Sequence, residues 1–392
     1  MKLNSALRSG LLFACIYQLF LCAIVVTFLF IRNPSFSLFQ LQDRLGAWDG
    51  AHYIFLSQHG YVKTGDEANF IVFYPLYPLL IRANPLFVLS PYISAWSISI
   101  IGSIVGHTFF YAWADKKYGA KRARPILFLF CLSPISVYFT HVYTEGLYLA
   151  ISAAMLYFLE EKKHLLSASL GMLSSATRLV GITSIIPYLW SFHTQLNDIN
   201  LFTNHHLHLS KIKSILRPQT LFPILYSVLI PVGFLTFLGI NIVVFGSPTH
   251  YQLILKNHWY KEVTNPVQTY INYARGFSLQ DLFINDNDHF VTQSIDVFIT
   301  LLVPFILIAY IAKERKKTEW GLVAWTLSQL YIVCAQSFWL SNTRYIALIL
   351  PLYVFLERIF EKGKALYILL CILSLIVMIF CIDLFAQGAW VF

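Results

Sequence analysis

An all-α polytopic membrane protein is the fold class this sequence predicts, and three observations carry the prediction. Apolar stretches of about 18 residues or more recur along the whole chain, long enough to cross a bilayer as helices. Only 12% of the 392 residues are charged and 57% are hydrophobic, whereas a soluble chain carries about 25% charged residues. The cations behind the net charge of +9 gather in short tracts between apolar stretches: 115–124, 161–164, 211–217, 313–317 and 357–364. That placement fits cytoplasmic loops under the positive-inside rule and argues against a nucleic-acid-binding face.

The elements follow in order. Ser9–Ile31 is the first span; it is too long for a signal-peptide core, and Arg32-Asn33-Pro34 offers no small-residue cleavage site, so it reads as an uncleaved anchor. Residues 32–91 then form a large first outer loop, and a second span at 92–114 returns to the basic tract. Pro125–Thr140 and Glu145–Leu159 are apolar but only about fifteen residues each, too short to cross upright. Leu165–Trp190 lies between two basic tracts, so it reads as a second short hairpin turning near Thr177–Gly181. Short re-entrant-like hairpins must end in a protein-enclosed, wetted cavity, because lipid cannot satisfy their backbone. Spans at 220–245, 292–312, 320–337, 343–360 and 365–385, with a second outer loop at 246–290, bring the total to about 11 crossings in one domain over 1–392. The six cysteines all fall in these spans without zinc-ligand spacing, as expected of buried helix-packing thiols.

Ionisable side chains at membrane depth are costly and therefore candidates for function. Asp49, His52 and Glu67 lie in the first outer loop, within or after "WDGAHYIFLSQHGY". Glu145 sits at the tip of the first hairpin ("THVYTEG"), Arg178 at the tip of the second ("SATRLVG"), and Arg344 opens a span from the same side ("SNTRY"). A desolvated carboxylate at Asp49, beside Trp48, suits a general base towards a hydroxyl; it equally suits a helix N-cap. Guanidinium groups at Arg178 and Arg344 suit a phosphate, and equally suit ion pairs with Glu145 or Asp49. His52 and His59 fit aromatic packing as well as catalysis. The segment "NFIVFYPLYPLLIR" (69–82) reads as a short interfacial helix, either guiding a lipid-linked substrate or anchoring the loop.

Two further clusters attract attention and carry less. Asp286 and Asp288 in "NDND" have a spacing used for divalent metals, but Asn and Asp are ordinary turn residues. The histidines of "NHHLHL" (204–209) have no nearby acid or cysteine partner and support only adventitious metal affinity. No metal site and no cofactor is expected.

"WDGAHYIFLSQHGY", "VFYPLYPLLIR", "SPISVYFTHVYTEGLYLA", "SSATRLVG" and "TRYIALILPLY", in this order over most of the chain, resemble the PIG-V-type mannosyltransferases, the family of the GPI mannosyltransferase II enzymes and their prokaryotic relatives. The loop 245–267 is more similar to the prokaryotic branch. "FYP" where the family often has "FFP", and Ser57 in place of an alanine-like residue, are modest departures that remove no reactive group. The resemblance implies a GT-C glycosyltransferase fold with its site on the non-cytoplasmic face. It also implies a polyprenyl- or dolichyl-phosphate mannose donor and a glycolipid or glycan acceptor. By the same resemblance Asp49 is the base, Arg178 and Arg344 hold the donor phosphate, and Glu145 matches the family's acid. Trp48, His52, Tyr53, Glu67 and Tyr143 are expected to support them.

The expected activity is therefore inverting transfer of a hexose, mannose by resemblance, from a lipid phosphate to a hydroxyl. The rival from another class is a transporter or flippase for a lipid-linked or anionic solute, which predicts charges spread through the membrane depth and repeat symmetry. The expected location is the prokaryotic cytoplasmic membrane, or the endoplasmic reticulum membrane in a eukaryote. Nothing in the sequence identifies a partner subunit.

Overall fold

Residues 4–34, 37, 40–198, 218–277 and 288–391 are described by the structure, a computed structural model. Asn4 caps the first helix, α1 (Ser5–Arg32), by accepting from the Leu7 N–H at 2.9 Å. Its buried stripe, Ala14, Tyr17, Leu21, Val25 and Leu29, recurs every three or four residues, while Leu12, Ile16, Leu19 and Phe20 on the other side are exposed. A helix apolar on both its packed and its open face is one that meets lipid.

The segment between α1 and the next long helix, expected as the first outer loop, folds into short pieces: α2 (Leu41–Leu45), α3 (Asp49–His59), a 3-10 turn at Asp66–Val72 and α4 (Leu76–Ala83). Pro75 and Pro78 sit at the start of α4, where a missing N–H is tolerated. The interfacial segment expected at 69–82 is thus partly docked. Tyr77 is fully buried, with its hydroxyl within 2.7 Å of Ser99 Oγ and donating to the Ala95 carbonyl, while Leu79 stays open.

Next come α5 (Pro91–Tyr118), α6 (Ala120–Cys131), α7 (Glu145–Glu160), α8 (His164–Thr177) and α9 (Ile185–Asp198). After α6 the chain bends by 80° into a buried 3-10 segment, Pro134–Thr140. Pro134 pushes Ser133 out of helical geometry, and Ser133 caps the new segment. The single arm expected at Pro125–Thr140 is thus broken at Leu132–Ser133, and the chain turns into α7 only after the 3-10 segment. The second hairpin forms. Tyr188 on α9 comes back to His164 at the start of α8, with ring centroids 6.2 Å apart.

The remaining helices are α10 (Pro218–Tyr226), α11 (Leu229–Phe245), α12 (His250–Asn257), α13 (Pro266–Gly276), α14 (Asp288–Glu314), α15 (Trp320–Cys334), α16 (Asn342–Ile346), α17 (Pro351–Phe360) and α18 (Lys364–Ala386). The single span expected at 343–360 is instead two helices. Pro351 cannot donate to the Ala347 carbonyl, and the Tyr353 hydroxyl does so in its place at 2.9 Å.

Among the described residues the fold is almost entirely helical, with one isolated β-bridge between Val263 and Gln336. Among the described residues five helical stretches are long and apolar enough to cross a membrane: Ser5–Arg32, Pro91–Tyr118, Leu221–Phe245, Gln293–Lys317 and Lys364–Ala386. A sixth is added if the bent pair 120–140 is one span. The chain is an integral multi-pass membrane protein.

Four of the five basic tracts meet at one end of this bundle. Lys116 pairs with Glu161 at 2.6 Å, Lys117 with Glu319 at 2.8 Å, and Arg122 with Glu361 at 2.6 Å, while Lys313 donates to the Ile359 carbonyl at 3.0 Å. The fifth tract, 211–217, lies outside the described residues. The same is true of the 204–209 histidines and Asp286, and of the Asp288 side chain. At the other end of α5, Ser99 donates to the Tyr143 carbonyl at 3.0 Å, next to Glu145. Roughly 27 Å of helix rise separates Ser99 from Lys117, close to the ~30 Å of a hydrocarbon core.

Candidate active site

Glu145 is the most buried charged side chain among the described residues, with no exposed surface, and two arginines from separate segments reach it. Its Oε1 accepts from Arg178 Nη2 at 2.9 Å and from Arg344 Nε at 2.8 Å. Gly146 permits that depth, since a Cβ there would stand 2.4 Å from the Ser99 carbonyl oxygen of α5. Gly181 closes the second hairpin in the same way, with 2.1 Å from a Cβ to the Ser174 carbonyl oxygen. The glycines of "YTEG" and "TRLVG" are therefore close-approach positions that bring each charged tip to the other.

Arg344 extends the network outward. Its Nη1 donates to Asp49 Oδ2 at 2.8 Å. Its guanidinium carbon stands 4.8 Å from the ring centroids of both Tyr138 and Tyr143. Arg178 is held likewise over Tyr345 at 4.6 Å. Aromatic faces and carboxylates together keep each fork in one plane. The helix bearing Arg344 is itself pinned from below, because the buried Asp296 carboxylate accepts from the Asn342 and Thr343 backbone N–H groups.

Asp49 is not the N-cap that the sequence also allowed. Trp48 holds the cap position at φ 58°, and Asp49 is the first residue of α3. Its side chain retains 20% exposure, against 0% for Glu145, so it is the carboxylate that opens on free space. That space is a cavity of about 440 Å³, within the range of small-molecule sites. Asp49, Arg178 and Arg344 all line it, together with Trp48, His52 and Tyr53.

The other expected residues divide. His52 packs against Phe70 and Phe73, with centroids at 4.2 and 5.1 Å, and burial pushes its imidazole below the ordinary range. His59 stacks on Phe55 at 4.5 Å, away from the cavity. Tyr143 lies behind the wall, its hydroxyl donating to the Ala47 carbonyl at 3.2 Å and its ring supporting Arg344. Glu145 likewise lies behind the wall and positions both arginines. Glu67 is not brought to the site: it sits partly exposed on the Asp66–Val72 turn and does not line the cavity.

Sequence reasoning missed Asp296, Lys261, Trp259, Tyr74 and Tyr345. Asp296 had a signal, an acid inside the apolar stretch "QSIDVFITLLVP". Lys261 had none, since "HWYKEV" reads as an ordinary loop. Among the described residues no group of three His, Cys, Asp or Glu side chains is arranged to hold a metal ion.

No family model matches the chain. No solved structure matches it either. Among curated proteins it is similar to GPI alpha-1,6-mannosyltransferase 2 of the rat, Rattus norvegicus, at 28% identity over 167 residues, which is 39% of this chain and 33% of that protein. The match thus spans about a third of the curated relative's length. The chain is a distant relative of a GPI mannosyltransferase.

Proposed function

We propose that this protein is a membrane glycosyltransferase of GT-C type that moves mannose from a polyprenyl-phosphate donor to a hydroxyl of a glycolipid or glycan, with inversion at the anomeric carbon. The observation that carries the reading is the Asp49–Arg344–Glu145–Arg178 network bordering one cavity. Displacement of a phosphate by a hydroxyl needs a base on one side and positive charge on the other. The two arginines supply fixed charge for the departing phosphate. Asp49 supplies the base.

The chemistry divides among these side chains. The acceptor oxygen attacks the anomeric carbon while its proton passes to the Asp49 carboxylate. The bond from that carbon to the phosphate oxygen breaks, and its electron pair stays on the phosphate. A phosphate entering beside Arg344 competes with Asp49 for Nη1, so donor binding frees the carboxylate for the hydroxyl. Glu145 meanwhile keeps hold of Nε, and the guanidinium stays in place. Walls built largely of aromatic and aliphatic side chains lower the effective dielectric and strengthen each of these attractions.

Face and topology belong to the same proposal. The network lies about one hydrocarbon thickness along α5 from the basic tracts, and basic tracts mark the cytoplasmic side. A non-cytoplasmic site follows, with the shorter helices α6–α9 and α15–α17 completing about 11 crossings. The distant likeness to a GPI mannosyltransferase supports the sugar.

The test is transfer in membranes containing the full chain, supplied with polyprenyl-phosphate [³H]mannose and, separately, with GDP-[³H]mannose in the presence of a polyprenyl-phosphate-mannose synthase inhibitor. The reading expects label to reach a lipid or glycan acceptor from the polyprenyl donor only. Transfer from the nucleotide sugar alone would overturn it.

A further inference from the structure

Beyond the contacts of the network itself, the cavity wall presents hydrogen-bond donors that no described residue uses. Arg178 Nη1, Trp259 Nε1 and Tyr74 Oη are buried without a partner among the described residues, and all three side chains line the cavity. Buried polar groups are normally paired, so a cluster of idle donors on one wall marks where ligand oxygens sit. Lys261 joins them from the second outer loop. Its Nζ donates once, to the Leu340 carbonyl at 2.8 Å, and forms no ion pair among the described residues.

The charges sharpen the point. Arg178 and Arg344 are offset by Glu145 and Asp49. Asp296 faces Lys261 from α14, but its oxygens are engaged by the Asn342 and Thr343 backbone. Lys261 is therefore the lining cation without a carboxylate partner. It is also held firmly. Ser337 N–H donates to the Glu262 carbonyl at 2.8 Å, Thr264 N–H donates to the Ala335 carbonyl at 3.2 Å, and Val263 bridges Gln336. Trp48, Tyr260 and Ser341, just before Asp49, Lys261 and the Arg344 helix, are non-glycine residues at positive φ of 58°, 55° and 69°. Strain of this kind persists where surrounding contacts over-determine the backbone.

We infer that Lys261 is a ligand for the phosphate of the lipid-linked substrate, a third cation beside Arg178 and Arg344, with Tyr74 and Trp259 donating to neighbouring substrate oxygens. This rests on the reading that the cavity takes a lipid phosphate. Burial pushes the ammonium down to about 8, Arg344 pushes the same way, and Asp296 and Asp49 oppose them. Arg178, His52 and the hydroxyls of Tyr53, Tyr74 and Tyr345 complete the groups around the cavity. Lys261 is charged below that value, so phosphate binding is strongest below pH 8 and weakens above it.

The test uses farnesyl phosphate, with farnesol as the uncharged control, titrated into the full chain in nanodiscs and read by thermophoresis. At pH 7, Lys261→Met should weaken farnesyl phosphate about tenfold or more, the loss of a charge-assisted contact, and leave farnesol unchanged. Lys261→Arg should retain binding and flatten the fall between pH 7 and 9 that the wild type shows. Should Lys261→Met fail to fold, the pH profile of Lys261→Arg decides. Wild-type affinity in Lys261→Met, an equal loss for farnesol, or the wild-type pH profile in Lys261→Arg would overturn the inference and leave the functional reading standing. A wild type that does not bind farnesyl phosphate would overturn both.

Discussion

Arg344 Nη1 donates to Asp49 Oδ2 at 2.8 Å, joining side chains 295 positions apart in the chain. Through Nε the same guanidinium also holds Glu145, so its fork spans two carboxylates. A lysine carries the charge but not the fork. Arg344→Lys should therefore fold, keep a charge near the phosphate and lose the geometry. We expect kcat/KM for mannose transfer to fall about 10²-fold. Activity within threefold of wild type would show that charge alone is used.

Glu145 is a positioning residue, and its loss should be felt first in stability. Glu145→Gln leaves two buried guanidiniums facing a neutral amide, a change that destabilises by about 3–5 kcal/mol. Thermal unfolding of the purified chain in detergent checks this. Combining it with Arg178→Gln removes one of the stranded charges, and the double variant should be more stable than the two single losses added together. Strict additivity would mean that Glu145 and Arg178 do not act as a pair.

Asp296 makes a prediction of a different kind, because it never touches the cavity. Its two oxygens accept the first N–H groups of α16, and an asparagine can present only one acceptor there. Asp296→Asn should destabilise by about 1–3 kcal/mol and loosen the helix that carries Arg344. The kinetic trace is a fall in kcat/KM that Asp296→Glu partly rescues. An unchanged rate in a measurably less stable protein would make Asp296 a fold residue only.

Sidedness can be read chemically. In a variant whose native cysteines are replaced, Thr64→Cys in the first outer loop and Arg124→Cys in the first basic tract should react with an impermeant maleimide from opposite faces. Thr64→Cys should react from outside in intact cells. Labelling of both from one face would contradict the topology.

How much of this was legible in the sequence depends on the physics of each element. The long spans were, because a run of apolar residues that meets lipid needs no partner to be recognised. Helices α1, α5, α14 and α18 extend the expected spans by a few residues at their ends. The hairpin tips were legible too, since costly charges sat in short apolar arms beside glycines. The break before Pro351 was written in the sequence and passed over in favour of hydropathy. Glu67 is expected among the supporting residues because it shares the first outer loop with Asp49, and loop membership alone does not bring a side chain to the cavity wall. Lys261 was illegible for a deeper reason. Its place in the wall depends on pairing with 335–337, some seventy-five residues away, and such pairing leaves no local mark.

The role of Asp49 bears the whole account, and turnover in Asp49→Asn measures it most directly. In membranes supplied with polyprenyl-phosphate mannose, the account predicts a loss of about 10²–10⁴-fold in transfer. Farnesyl phosphate should bind at least as tightly as to wild type, because Arg344 loses its competitor. Transfer at the wild-type rate by a stably expressed Asp49→Asn protein would contradict the assignment of the base.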